Sequence, residues 1–223
     1  MSSTKAEGLY VRQLLLGPMK NFVYLVGAQE SAEVAVVDPA WSVPAIRAAA
    51  DADGRRLAAV FLTHHHADHV NGVPELLRQH DVPVYVQRSE LEAFDEARRL
   101  GSAVRAVGPG DVLTVGRAEV TCVHTPGHTP GSQCLSVRGA LLSGDTLFVD
   151  ACGRCDLAGG DAAQMHDSLH RVLSALPAET VLYPGHDYGP VCVSTLSRER
   201  AHNPYYQRPG LEAFLAYRNR PRG

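Results

Sequence analysis

The 223 residues fit one domain, and 45% hydrophobic residues suffice for a sizeable core. A formal charge of -3 with no basic run argues against nucleic acid or an anionic membrane as the main partner. Five cysteines, an odd count in a chain this long, do not read as a disulfide framework, so a reducing compartment is expected.

The first apolar run, Leu14–Leu16, is too short for a signal h-region or a membrane span. Glu7 sits badly in a transit peptide. The expected location is the cytoplasm, or an organelle matrix if a transit peptide has been removed. Strand-like runs follow at Tyr10–Leu16, Phe22–Val26, Glu33–Val37, Ala58–Thr63, Val82–Gln87, Ala118–Val123, Gln133–Val137, Ala140–Ser143 and Thr180–Tyr183, closed by Gly, Pro or Asp. Helical patterns lie between them at Val43–Asp53, Val73–His80, Glu90–Leu100 and Ala162–Leu176. The last places Met165, Leu169, Val172, Leu173 and Leu176 on one face, with Asp161 as N-cap and Pro177 beyond its end. Strands and helices alternate without a linker, which predicts a single α/β domain over residues 1–223 with helices on sheet faces. The basic tail, residues 218–223, is expected to fray.

The stretch LTHHHADHVNG begins where the apolar run Ala58–Thr63 stops. Extended backbone alternates, so His64 and His66 point one way and His65 the other; Asp68 and His69 follow. Imidazole and carboxylate together suit Zn, Fe or Mn. An isolated H-x-H is usually a solvated loop, but this pattern recurs. His128 in HTPGHTPGS, Asp145 in LLSGDTLF and His186 in VLYPGHDYG each lie just past an apolar run, beside Gly or Pro. Strand ends gathered at one edge form a site in α/β proteins, so these seven residues are read as a metal edge. His80 ends a helical pattern, and His166 and His170 stand i,i+4 without the H-E-x-x-H that would make them a zinc motif. His65, His124 and His202 read as surrounding or surface residues. Asp38, in VVDPA, caps a turn toward the site, with Trp41 beside it lining the pocket or packing.

H-x-H-x-D-H as His64, His66, Asp68 and His69, with His128, Asp145 and His186, resembles the metallo-β-lactamase superfamily over about residues 22–204. The resemblance implies a four-layered αββα sandwich with mixed sheets and one or two metals at one edge. GDTLFVDACGRCDLAGGD and YPGHDYGPVCVSTLSRERAHNP are similar to persulfide dioxygenases and, more distantly, to glyoxalase II thioesterases. Two departures stand out: Pro184-Gly185-His186 where the dioxygenases commonly have Pro-Ala-His, and Tyr205 where a basic residue often follows Asn-Pro.

By that resemblance the favoured reading is a dioxygenase that oxidises a glutathione or other small-thiol persulfide with O₂ to sulfite and free thiol. Its one Fe(II) per chain is held by His64, His128 and Asp145, two histidines and a carboxylate that leave open positions. His66, Asp68, His69 and His186 then form an outer shell. The alternative is a hydroxyacylglutathione-type thioester hydrolase with two Zn, Fe or Mn ions about 3.5–4 Å apart, all seven residues as ligands and Asp145 bridging. Arg154 and Arg200 are candidates for substrate carboxylates, since a guanidinium fork matches them, and Tyr188 for a pocket hydrogen bond. A catalytically silent metal-binding module is disfavoured because every ligand-type residue is retained, and a secreted lactamase because no export signal is visible. Cys152 and Cys155 form C-x-x-C, but the other cysteines do not complete a zinc ribbon. Homodimers are common in the related enzymes; no stripe in this sequence establishes one.

Overall fold

In the computed structural model, which describes residues 8–95, 97–218 and 220, the run Asn21–Ala28 (β2) is buried along its whole length. Its alternate residues face different cores: Phe22, Tyr24, Val26 and Ala28 pack one way, Val23 and Leu25 the other. A strand buried on both faces must lie inside a stack of layers.

The first sheet runs β1 (Leu9–Leu16), β2, β3 (Glu33–Val37), β4 (Arg56–Phe61), β5 (Val84–Gln87), β6 (Val104–Val107) in spatial order. It is antiparallel over β1–β3 and parallel over β3–β6. The second sheet holds β7 (Val112–Val115), β8 (Ala118–His124), β9 (Gln133–Val137), β10 (Ala140–Gly144), β13 (Val181–Pro184) and β14 (Ser194–Thr195), ordered β14-β13-β10-β9-β8-β7. Only β10–β13 is parallel there. A two-stranded ribbon, β11 (Leu147–Phe148) with β12 (Ala151–Cys152), projects beyond β10.

Between the sheets Tyr24, Val37 and Phe61 meet Val120, Leu135 and Leu142. Outside the first sheet, α1 (Val43–Ala52) and α3 (Val73–Leu77) contribute Ile46, Ala49 and Leu76 to a core with Val36 and Val60. Outside the second, α5 (Ala162–Asp167), α6 (Leu196–His202) and α7 (Leu211–Arg218) contribute Met165, Leu196 and Phe214 to a core with Leu141 and Leu182. The layers are helix, sheet, sheet, helix, as the resemblance implied. Short helices α2 (Ala67–Val70) and α4 (Ala97–Leu100) lie in the connections of the first half. No helix among the described residues is long and apolar enough to cross a membrane.

Several elements depart from their sequence patterns. Glu90–Leu100 is a 3₁₀ turn at Arg88–Glu90, then turns, then α4, because the Glu90 side chain is drawn into the protein. Asp161 does cap α5, accepting from the backbone N–H groups of Ala163 and Gln164, but the helix widens into a π-turn at Ser168–Val172 and tightens to 3₁₀ at Leu173–Ala175. Arg218, placed by the sequence in a fraying tail, closes α7; it is 9% exposed and donates to the Tyr205 hydroxyl at 3.0 Å. Residues 219 and 221–223 of that tail lie outside the described residues.

Phe214 anchors α7, fully buried with its ring 5.2 Å from His166 and 5.5 Å from Tyr205. Phe214→Ala is expected to lower stability by about 3–5 kcal/mol, read from urea unfolding. A loss under about 1 kcal/mol would mean that α7 does not rely on this contact.

Candidate metal centre

Four strand ends deliver the site. β4 stops at Phe61 and the chain turns through Thr63–His69; β8 leads to His128, β10 to Asp145 and β13 to His186. The edges are tied together by backbone bonds from Gln133 N–H to the Thr63 carbonyl at 2.9 Å and from Gly185 N–H to the Gly144 carbonyl at 2.9 Å. A left-handed residue, Asp38 (φ 50°), aims its carboxylate at the first turn. It accepts from Thr63 N–H at 2.7 Å and Thr63 Oγ1 at 2.6 Å, so Asp38 is the turn cap expected of it.

Those bonds settle which nitrogen of each histidine faces inward. Thr63 Oγ1 gives its proton to Asp38 and so accepts from His64 Nδ1 at 3.0 Å. His69 Nδ1 donates to Asp38 Oδ2 at 2.9 Å, His128 Nδ1 to the Arg154 carbonyl at 2.7 Å, and His186 Nδ1 to the Met19 carbonyl at 2.9 Å. With Nδ1 protonated in every case, the Nε2 lone pairs of His64, His69, His128 and His186 turn to one centre. Nε2 of the buried His64 and Oδ1 of Asp145 have no hydrogen-bond partner. His128 Nε2 lies 2.9 Å from His66 Nδ1, and His69 Nε2 lies 3.2 Å from His186 Nε2. Lone pairs this close with two buried orphans are the donor set of a bound cation, so the residues fit a metal.

The ligand atoms sort into two triads, each within 4.8 Å: His64, His66 and His128; and Asp68, His69 and His186. Asp145 lies between them, Oδ2 3.5 Å from His128 Nε2, Oδ1 3.3 Å from His69 Nε2 and 3.4 Å from His186 Nε2. A third grouping, Asp38 with His64 and His69, is already consumed by the bonds above. Burial alone would raise the Asp145 carboxyl, but the His69 charge and the nearby His186 and His69 side chains hold it well below the usual carboxylate range. His64 is driven well below the ordinary histidine range, first by burial and then by the charge of His69. Burial likewise lowers His66 and His128, while the carboxylates of Asp145 and Asp38 raise His69 against its own burial; a cation bound at this edge would take the place of that proton.

His66, Asp68, His128, Asp145 and His186 open onto a cavity of about 750 Å³, whose walls include Met19, Phe148, Leu157, Tyr188, Tyr205 and Tyr217. Tyr188 stacks on His186, ring centroids 4.6 Å apart and 8° from parallel. Burial and then the charges of Asp145 and Asp68 push its hydroxyl up, so it stays a donor at neutral pH. Arg154 also borders the cavity, in a two-pronged pair with Asp156, both contacts 2.8 Å. Arg200 does not: it donates to the Leu173 and Leu176 carbonyls at 3.0 and 2.7 Å, behind the second sheet, which removes it as a carboxylate anchor in this conformation. Trp41 likewise does not line the cavity but donates from Nε1 to Asn21 Oδ1 at 2.8 Å.

The remaining histidines stand apart. His166 and His170 bond the Pro209 and Tyr205 carbonyls, His124 bonds the Pro130 carbonyl, and His65 turns away from the centre to pair with Glu90. Sequence reasoning missed two residues here. Asn21, buried, donates to the Asp68 carbonyl at 3.0 Å and to Asp68 Oδ2 at 2.9 Å. Glu90 is the second. Neither carries a local motif, because each acts on loops distant in the chain.

This architecture and donor set define an α/β sandwich with a metal-binding type of donor set at one edge. The chain belongs to the metallo-beta-lactamase superfamily, whose family model matches residues 16–186. Among its relatives, the probable polyketide biosynthesis zinc-dependent hydrolase PksB of Bacillus subtilis is 32% identical over 201 residues, 90% of this chain and 88% of that protein. The crystal structure of ETHE1 from Myxococcus xanthus superposes with a TM-score of 0.85 at 31% identity, covering 96% of this chain and 92% of that one. TTHA1623 in a di-iron-bound form superposes with a TM-score of 0.75 at 34% identity, covering 87% and 100%.

Proposed function

We propose that this protein is a hydrolase of thioesters built around two metal ions. The observation that carries the reading is the Asp145 carboxylate set between two complete triads, one oxygen toward His128 and the other toward His69 and His186. His64, His66 and His128 would hold one ion, Asp68, His69 and His186 the other, with Asp145 shared. Two such ions supply Lewis acidity for a carbonyl oxygen and a water of lowered pKa. The likeness to a zinc-dependent hydrolase over nine-tenths of the chain, and to a di-iron protein, supports this order of preference over the single-iron reading.

The chain's own groups do the rest. Phe148, Leu157 and Tyr217 present apolar surface that would take the substrate's arms and exclude water from the cavity floor. Tyr188, fixed against His186, keeps its phenol proton to donate to a substrate carbonyl or amide. Arg154, neutralised by Asp156, offers weak attraction for an anionic thiol arm. The odd count of five cysteines, which does not read as a disulfide framework, supports a reducing, cytoplasm-like location.

A second reading, persulfide dioxygenase with one Fe(II) on His64, His128 and Asp145, is supported by the extent of the overlap with ETHE1. Its substrates would be a small-thiol persulfide and O₂. Purification without chelators, metal analysis by mass spectrometry, S-lactoylglutathione hydrolysis and oxygen uptake on glutathione persulfide separate the two. About two ions per chain with hydrolysis and no uptake is the expected result. One iron per chain with uptake and no hydrolysis transfers the assignment to the dioxygenase.

A further inference from the structure

Glu90 is a fully buried carboxylate outside every ligand-bearing loop. Its Oε2 accepts from the His65 backbone N–H at 2.8 Å and from His65 Nδ1 in a very short contact. Its Oε1 accepts from Thr129 Oγ1 at 2.7 Å and from Gly131 N–H at 2.6 Å. The first pair of donors belongs to the loop carrying His64 and His66, the second to the loop carrying His128. Gly131 is needed for that approach, since a Cβ there would lie 2.8 Å from the Glu90 backbone nitrogen and 2.6 Å from its Cγ.

Burial raises this carboxyl, but the bonds from His65 and Thr129 bring it below its usual range, so the group is ionised. An apolar staple would join two loops without the desolvation of a charge. What the carboxylate adds is direction: it fixes His65 outward, which sets its neighbours inward, and it pins the Thr129–Ser132 turn directly after His128. His64, His66 and His128 are the one triad assembled from both clamped loops.

Given the metal reading proposed above, we propose that Glu90 is a positioning residue for the His64–His66–His128 triad, clamping its two loops at the spacing a metal requires. The Asp68–His69–His186 triad has other supports, Asp38, Asn21 and the Met19 carbonyl, and does not depend on Glu90.

The test is cobalt(II) titration of the full chain, followed by visible absorption and chelator competition, with His66→Ala identifying the step that belongs to the first triad. In Glu90→Gln an amide N–H group must face donors, and the affinity of that step should fall by about 10- to 100-fold while the other step holds. Thr129→Val removes one donor to Oε1, and the partner of the Ser132 hydroxyl, while leaving the Gly131 N–H in place; it should weaken the same step several-fold, which keeps the test usable if Glu90→Gln fails to fold. Equal weakening of both steps, or unchanged affinities with only a lower melting temperature, would show a merely structural role and overturn the clamp. A wild-type chain holding one ion overturns the two-metal reading but not the clamp, because His64 and His128 still sit in the clamped loops and that ion must loosen in Glu90→Gln. A wild-type chain that takes up no cobalt overturns both.

Discussion

Asp145→Asn is expected to reduce metal content below one ion per chain and to cut the metal-dependent activity by a factor of a hundred to a thousand or more. The carboxylate lies between the two triads, within 3.5 Å of the Nε2 atoms of His69, His128 and His186. The amide is nearly the same size, so the loss is one of charge rather than packing. Removing one partner from a buried charge network costs about 3–5 kcal/mol, which corresponds to that range in binding. The amide also offers an N–H where lone pairs converge, adding a misplaced donor. Mass-spectrometric metal analysis and single-substrate kinetics on refolding-competent protein check it. A variant with full metal load and wild-type turnover would remove Asp145 from the centre under either functional reading.

Gly153→Ala should be nearly as damaging, for a steric reason. A Cβ at residue 153 would lie 1.7 Å from the carbonyl oxygen of Asp145 and 2.9 Å from its carbonyl carbon. Both are backbone atoms, so no side-chain rotation relieves the clash; the segment leaving β12 or the turn bearing Asp145 must move. Overpacking by one methyl commonly costs about 1–3 kcal/mol, and the absence of any soft neighbour puts this case at or above the upper end. Because the displaced group is Asp145 itself, metal affinity should fall together with stability. Gly210→Ala is the control, since a Cβ there meets nothing within 4 Å. Equal melting temperatures and metal content for Gly153→Ala and the wild type would show that the loop yields freely.

Local pattern carried much of the architecture. β3 and β9 have the ends that their Val- and Leu-rich runs suggested, and β2 was legible because both its faces are apolar. β6 and β7 were not: each has four residues, with Arg105 and Thr114 exposed, and neither alternates long enough to stand out beside Gly108-Pro109-Gly110. α6 was hidden for a related reason. Only Leu196 and Glu199 of its seven residues are buried, and Glu199 is held by Ser194 and Asn203 rather than by an apolar stripe. α7, with Phe214 as its one buried apolar residue, carries little periodicity to read.

The sequence by itself singled out the seven ligand-type residues that the structure gathers at one edge, since they stand just past apolar runs, and alternation alone turned His65 outward. Alternating strand and helix patterns pointed to one α/β domain with helices on sheet faces, and the four layers were what the family resemblance implied. Only the tertiary structure decided how the ligands divide into triads, that Asp145 stands between them, and that Arg200 faces away from the cavity. It alone revealed Glu90 and Asn21, whose side-chain partners lie 20 to 48 positions away in the chain. Spacing along a chain records which side chains leave a strand together; the distance between two strand ends is set by sheet pairing and packing, which no local pattern encodes.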